Sequence, residues 1–198
     1  MVSSNVKFVK KQTLRDRIIE AAYACTYESG ISKLTLEDVA KQAGTSRATI
    51  YRYFPKGRDQ LVSEVVAWAA FIWLEGLVEA ISGIDDFEEI GVKAIMFAHK
   101  SLLNHDLLQK VLDEEPQVIL PLLTVEASRI VAFVHLYVVT RLFGKTLPEH
   151  IDRDTFAEYM ARLLVSTIVT PGRWDLSDER QVRDLVRCEF MAPLTTGR

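Results

Sequence analysis

The strongest constraint on the fold is a short block, residues 36–54, with the sequence LEDVAKQAGTSRATIYRYF. Its first half places apolar residues at the spacing of one helix face, namely Leu36, Val39, Ala40 and Ala43. Gly44 can then supply the positive φ that a tight turn needs. Ser46 can cap a second helix, whose inward positions are Ile50 and Phe54. The block therefore predicts two short helices joined by a glycine turn, which is the helix-turn-helix arrangement.

The remainder of the chain also has helical periodicity, and no convincing alternation of a strand. A preceding helix is predicted from Thr13 to Glu28 and is stopped by Gly30, while Thr35 and Asp38 have capping-box spacing. Further helices are predicted at about 58–82, 85–104, 106–113, 124–143, 153–169 and 178–191. Asp85 and Ser177 are the expected caps of the second and last of these. The predicted fold class is all-α.

Composition and motifs exclude several classes of protein. Two cysteines, Cys25 and Cys188, cannot form a disulfide framework, and neither a metal nor a cofactor motif is present. No apolar leader follows Lys11, and the longest uncharged apolar run, residues 130–140, is too short to span a bilayer. We therefore expect a soluble cytoplasmic protein with no membrane partner. A catalytic helical protein is disfavoured, because no nucleophile with a nearby base is evident.

Charge is distributed unevenly along the chain. Residues 1–60 contain 11 Lys and Arg against 6 Asp and Glu, whereas residues 61–198 contain 13 against 21. A basic N-terminal part on an acidic body favours a polyanionic partner for that part alone. The alternative is that these charges form an ordinary solvated surface.

The helix before the block, the block itself and the long helical body together resemble the TetR family of bacterial transcriptional repressors. The matching positions are Thr35, Val39, Ala40, Ala43, Gly44, Thr49, Ile50, Tyr51, Phe54 and Leu61. The resemblance implies a flexible basic arm at residues 1–12 and a three-helix DNA-binding domain at 13–57. It also implies a helical domain at 58–198 for effector binding and dimerisation.

The second helix of the block is expected to present residues to DNA. With Ile50 and Phe54 inward, helix geometry points Ala48, Thr49 and Arg52 outward. Arginine can bind guanine with two hydrogen bonds, and methyl groups can meet thymine. The candidate DNA contacts are Thr35, Thr45, Ser46, Arg47, Ala48, Thr49, Tyr51, Arg52, Tyr53, Lys56 and Arg58.

Within this set, Thr35, Lys56 and Arg58 are candidates for phosphate contacts. The family's matching aromatic residues imply the same role for Tyr51 and Tyr53, and the alternative is that both rings pack with their hydroxyls in water. The arm residues Lys7, Lys10 and Lys11 could follow the DNA backbone or remain a solvated tail.

The body carries aromatic, Met and His side chains that could line an apolar pocket with a few polar groups. The candidate ligand residues are Trp68, Met96, His99, Leu103, Phe133 and Tyr137. The same residue types are typical of any protein core, which is the alternative for each of them. Membership of the resembled family would imply a small effector bound in this body.

The last two helices carry apolar faces at Phe156, Met160, Leu163, Leu164, Thr167, Ile168, Val182, Leu185 and Val186, together with Glu189. Such faces need to be covered, and in the resembled family they pack on a second copy. The predicted function is a ligand-responsive repressor that binds a palindromic operator as a homodimer and is released by a small, largely apolar effector. The alternative is a protein-interaction module whose helix-turn-helix does not read DNA.

Overall fold

The computed structural model describes residues 13–118, 121, 128, 131, 132, 134–136 and 152–192. The chain divides into two compact units between Val65 and Val66. The predicted arm at residues 1–12, and most of the predicted helix at residues 124–143, lie outside the described residues. The proposed functional boundary between residues 57 and 58 stays a prediction.

Three short helices build the first unit: α1 (Leu14–Ser29), α2 (Leu36–Gln42) and α3 (Arg47–Tyr53). Each begins at a hydroxyl side chain that accepts a main-chain N–H three residues later, with Thr13, Thr35 and Ser46 as the caps. Gly30 ends α1, and Gly44 has a φ of 61° in the turn between α2 and α3. The predicted helix-turn-helix and its caps are therefore confirmed.

The core of the first unit lies where these helices cross. Side chains from every helix of the unit are completely buried there, namely Ile18, Ala22, Val39, Ile50, Phe54 and Leu61. Ala40 and Ala43 are also buried, and their small side chains suit the close crossing of α2 and α3. The inward residues of α3 therefore hold it rigidly by one face.

Helix α4 (Arg58–Ala80) begins in the first unit and continues into the second. By length and composition alone it could cross a membrane, since an 18-residue window of it has a mean hydropathy of 1.7, and 28% of that window is buried in the structure. The helix contributes Leu61, Val65, Leu74 and Leu77 to the protein interior. The helix ends at Ala80, two residues before its predicted end at Ser82.

The second unit contains α5 (Phe87–Leu103), α6 (Asp106–Glu114), α7 (Arg153–Val169) and α8 (Glu179–Leu185), which continues as a π-helical turn over Val186–Phe190. Two predicted caps were wrong by one residue. Asp86 caps α5 in place of Asp85, because its carboxylate accepts the Glu89 N–H. Asp178 caps α8 in place of Ser177, whose hydroxyl and main-chain N–H both donate to Asp175.

The main core of the second unit lies between α5, α7 and α8. Gly91 of α5 faces the π-helical turn so closely that an added Cβ would lie 3.1 Å from Val186 Cγ1. A smaller cluster joins the end of α4 to α5 through Leu74, Leu77, Ile81, Ile90 and Ala94.

Candidate nucleic-acid interface

The outer face of α3 is the candidate surface for DNA. Arg47, Ala48 and Arg52 are exposed, whereas Ile50 on the opposite face is completely buried. Thr49 is half-buried, and its hydroxyl lies 3.0 Å from that of Ser46. The outward orientation expected for Ala48 and Arg52 is thus confirmed, whereas Thr49, also expected to point outward, is only half-exposed. Together with the exposed Arg47 in the first turn, this face combines hydrogen-bond donors with a methyl group.

The guanidinium of Arg47 is held by two neighbours. Its Nη1 donates to the carboxylate of Glu37 on α2, and its Nη2 lies 3.4 Å from the Tyr51 hydroxyl. The guanidinium also stands 5.6 Å from the centre of the Tyr51 ring. The hydrogen bond to Tyr51 and the charge of Glu37 raise the pKa of Arg47 above its ordinary value, so Arg47 stays charged.

Tyr51 and Tyr53 were expected either to contact phosphate or to pack with their hydroxyls in water. Both rings pack against neighbours and are also exposed, so the structure is compatible with both roles. The ring of Tyr51 packs near Gly57, where an added Cβ would lie 3.3 Å from Tyr51 Cε1. The ring of Tyr53 lies under the Arg52 guanidinium, at 5.4 Å. Tyr51 and Tyr53 remain exposed overall, so DNA can reach them.

The three candidates for phosphate contacts have different surroundings. Thr35 is exposed at the start of α2, and Lys56 is exposed in the turn after α3. Arg58, in contrast, donates from Nε to the main-chain carbonyl of Leu34 at 3.0 Å and from Nη2 to that of Ile31. Its Nη1 pairs with Asp59. The structure therefore gives the guanidinium of Arg58 an internal role that sequence reasoning missed.

A second arginine supports the helix-turn-helix from within. Arg17 on α1 donates from Nη2 to the main-chain carbonyl of Ala43 at 2.9 Å. Ala43 is the C-terminal cap of α2, directly before the turn at Gly44. This contact satisfies a carbonyl that the helix end leaves open, and the sequence carries no local signal for it, because the two residues are 26 positions apart.

The candidate ligand residues are only partly brought together. Trp68, Met96 and His99 are half-buried, and Met96 packs against the main core of the second unit. Leu103 is 59% exposed, which does not fit the wall of an enclosed cavity. Phe133 and Tyr137 lie outside the described residues. Within the described parts of the chain, no three His, Cys, Asp or Glu side chains are grouped to hold a metal ion.

An open groove of about 420 Å³ lies between the end of α7 and α8. Its lining combines Leu163, Thr167, Trp174, Leu185 and Glu189 with the turn at residues 170–173. The indole N–H of Trp174 donates to Glu189 at 2.9 Å, and the Arg173 guanidinium lies 4.5 Å from the indole ring centre. None of the candidate ligand residues lines this groove.

The apolar faces of the last two helices are covered within the chain itself. Most residues expected to require a second copy are buried in the main core of the second unit, namely Phe156, Met160, Leu164, Val182, Leu185 and Val186. Thr167 is also buried, beside the open groove. The prediction that these faces need a partner was therefore wrong at these positions, because α5 packs on them. Apolar side chains that do reach the surface of α7 are Tyr159 and Val169.

The first unit is similar to the DNA-binding domain of a known protein family. Residues 18–65 match the family model described as "Bacterial regulatory proteins, tetR family". An uncharacterized HTH-type transcriptional regulator of Mycobacterium bovis is 32% identical over 99 residues, which is 50% of this chain and 50% of that protein. Another, of Mycobacterium tuberculosis, is 25% identical over 181 residues, covering 91% of this chain and 85% of its own length. The chain thus spans about half the length of the first of these relatives.

Solved structures share the fold over most of the chain. The TetR-family repressor AlkX from Dietzia sp., implicated in biodegradation of n-alkanes, has a TM-score of 0.63 at 23% identity and covers 91% of this chain and 94% of its own. The transcriptional repressor QsdR from R. erythropolis has a TM-score of 0.61 at 21% identity, with 87% and 92% covered. Residues 18–65 therefore match the N-terminal domain of the tetR family of bacterial regulatory proteins, and the solved structures show that the chain shares their fold over most of its length.

Proposed function

We propose that this chain is a transcriptional repressor that binds a palindromic DNA operator as a homodimer and is released by a small, largely apolar effector. The observation that carries the DNA part is the exposure of Arg47, Ala48 and Arg52 on a helix whose opposite face is completely buried. A rigid helix with donors and methyl groups on its free face suits the major groove. The family, and the repressors AlkX and QsdR that share the fold, support a regulatory role in the cytoplasm, where the DNA is.

Selection of bound fragments from a random duplex pool tests the DNA part. We expect an enriched near-palindrome, bound with an affinity that falls steeply with salt because phosphate contacts release counterions. The double variant Arg47→Ala with Arg52→Ala is the control, since both side chains are exposed and their loss leaves the core intact. Absence of salt-dependent binding to any duplex would favour a protein-interaction module.

The dimer part is supported by the exposed side of α7. Val169 is 75% exposed and Tyr159 is also exposed, while Leu163, between them in sequence, is half-buried beside the open groove. Exposed apolar side chains along one helix suit an isologous contact with a second copy. A twofold dimer would also present two α3 helices to two half-sites of one operator.

The effector part is supported by the aromatic and aliphatic side chains of the second unit. Trp68, Met96 and His99 remain candidates on the described helices, and Phe133 and Tyr137 remain candidates from sequence. An effector that releases DNA must bind better to the DNA-free arrangement, and DNA must weaken the effector by the same factor. Thermal-shift titration with alkyl compounds of graded length, each bearing one polar group, tests this part.

Phe133→Ala is the informative variant for the effector site. If Phe133 contributes to the effector site, the smaller side chain should change how much of a stabilising compound is needed to release DNA. The DNA affinity measured without the compound should stay the same. Ala98→Phe is unsuitable as a cavity-filling variant, because Ala98 is completely buried and a larger side chain would overpack the core. An unchanged response of Phe133→Ala and Trp68→Ala to every such compound would place the effector elsewhere.

A further inference from the structure

An acidic side chain lies next to the candidate DNA surface without an evident role in DNA binding. Glu37, in the first turn of α2, is exposed and bonds to the guanidinium of Arg47 on α3. A carboxylate there repels phosphates and so lowers affinity for any duplex. Because both side chains are more than half exposed, their ion pair contributes little to folding stability. Since Glu37 contributes little to folding stability, we looked to DNA recognition for its role.

The geometry around Arg47 indicates what that role is. Glu37 holds Nη1 on one side, and Tyr51 holds the guanidinium through its hydroxyl and its ring. The Tyr51 ring is itself positioned by its close packing near Gly57. A guanidinium carries more N–H donors than these contacts use, so donors remain for a base. Two neighbours, Glu37 and Tyr51, thus set the orientation in which Arg47 meets DNA.

We propose that Glu37 is a specificity-determining residue that acts through Arg47. Its carboxylate competes with DNA phosphates for the guanidinium, so a contact between Arg47 and a phosphate adds little binding free energy. A guanine at the right position offers two acceptors in a fixed geometry, so its contact with Arg47 adds more binding free energy. Glu37 therefore weakens binding to arbitrary DNA more than binding to the operator. This inference rests on the proposed DNA-binding function and assigns specificity to a residue outside α3.

A double-mutant cycle tests the proposal. Dissociation constants are measured for the unmodified protein, Glu37→Gln, Arg47→Ala and the double variant, each on the selected operator and on a random duplex at two salt concentrations. We expect Glu37→Gln to tighten binding to the random duplex by at least about threefold. The dissociation constants for the operator and the random duplex should therefore differ by a smaller factor than in the unmodified protein. Its salt dependence should steepen, because Arg47 becomes free to bind phosphate.

The background without Arg47 separates this role from a general charge effect. In Arg47→Ala, the Glu37→Gln change should tighten binding to both duplexes equally and leave their ratio unchanged. Glu75→Gln, an exposed carboxylate of α4 in the second unit, is the control for net charge alone. Circular dichroism confirms that each variant is folded.

Two results would overturn the proposal. One is an unchanged ratio for Glu37→Gln in the unmodified background, and the other is an equal change of the ratio with and without Arg47. If the unmodified protein bound no duplex in a salt-dependent manner, the proposed function itself would fail, and the role of Glu37 with it. The three outcomes are therefore distinguishable.

Discussion

The Nε of Arg58, the first residue of α4, donates to the main-chain carbonyl of Leu34 at 3.0 Å. The same guanidinium also bonds to the carbonyl of Ile31, so it spans the loop between α1 and α2. Thr35, which follows Leu34, caps α2 and is a candidate for phosphate contact. Arg58 therefore ties the loop before the cap of α2 to the start of α4.

We expect Arg58→Ala to lower the free energy of unfolding by about 1–3 kcal/mol, because two carbonyls of buried residues lose their donor. Hydrogen exchange should accelerate in residues 31–43. Lys56→Ala is the matched control, and it should leave stability unchanged while reducing the slope of log affinity against log salt by about 1. A reduced slope with unchanged stability for Arg58→Ala would show that Arg58 binds phosphate instead.

Gly57 provides a second test of how the α3 surface is built. Its φ is 68°, and an added Cβ would press on the Tyr51 ring at 3.3 Å. Gly57→Ala should destabilise the protein by about 1 kcal/mol through backbone strain, and should also weaken DNA binding by displacing Tyr51. Gly83→Ala separates the two effects, because Gly83 has a φ of 78° and nothing within 4 Å of its added Cβ. If Gly57→Ala and Gly83→Ala bound DNA with equal affinity, Tyr51 would not contribute to the DNA interface.

A pH-dependent stabilisation is expected where α5 meets α8. Glu88 accepts from Arg187 Nε at 2.8 Å and from Arg183 Nη1 at 3.1 Å, and these bonds lower the pKa of Glu88. A carboxyl whose pKa is lower in the folded than in the unfolded protein stabilises fully above its unfolded pKa of about 4.3 and loses that contribution as pH falls.

Urea unfolding at about pH 6 and about pH 4 measures this contribution. The free energy of unfolding should fall less with acid in Glu88→Gln than in the unmodified protein, and Arg183→Ala should also flatten the dependence. Arg162→Ala is the control, because its guanidinium is exposed and pairs with Glu158 of its own helix, α7. The same pH dependence in Glu88→Gln and the unmodified protein would contradict the role of Glu88.

The dimer is tested by comparing an exposed with a buried position. Val169→Glu should yield a folded monomer with weaker operator binding, because Val169 is exposed on α7. Leu185→Glu should unfold the second unit, because Leu185 is completely buried in its core. Analytical ultracentrifugation and circular dichroism distinguish the two. A monomer for the unmodified protein at micromolar concentration would be incompatible with the proposed dimer.

Local signals predicted the first unit well. Thr13, Thr35 and Ser46 each precede an apolar helical pattern, and the structure uses all three as caps. Where two capping residues are adjacent, as with Asp85 and Asp86, the sequence does not distinguish them, because the choice depends on which carboxylate reaches the N–H three residues later. The α3 face followed from helix geometry once Ile50 and Phe54 were placed inward.

Contacts between distant residues could not be predicted in the same way. The partners of Arg17 and Arg58 are main-chain carbonyls, which every residue has, so no side-chain pattern marks them. The apolar faces of α7 and α8 were attributed to a second copy because sequence does not show that α5 covers them. The π-helical turn at Val186–Phe190 had no local signal either.

The central claim is that Arg47 and Arg52 read bases from the free face of α3. The most direct measurement is the affinity of Arg47→Ala and Arg52→Ala for the selected operator and for a random duplex at one salt concentration. We predict that each variant loses about 1–3 kcal/mol on the operator, loses much less on the random duplex, and relaxes the preference at one base pair in each half-site. An equal loss on both duplexes for both variants would show that these arginines bind only phosphates and that the recognition surface lies elsewhere.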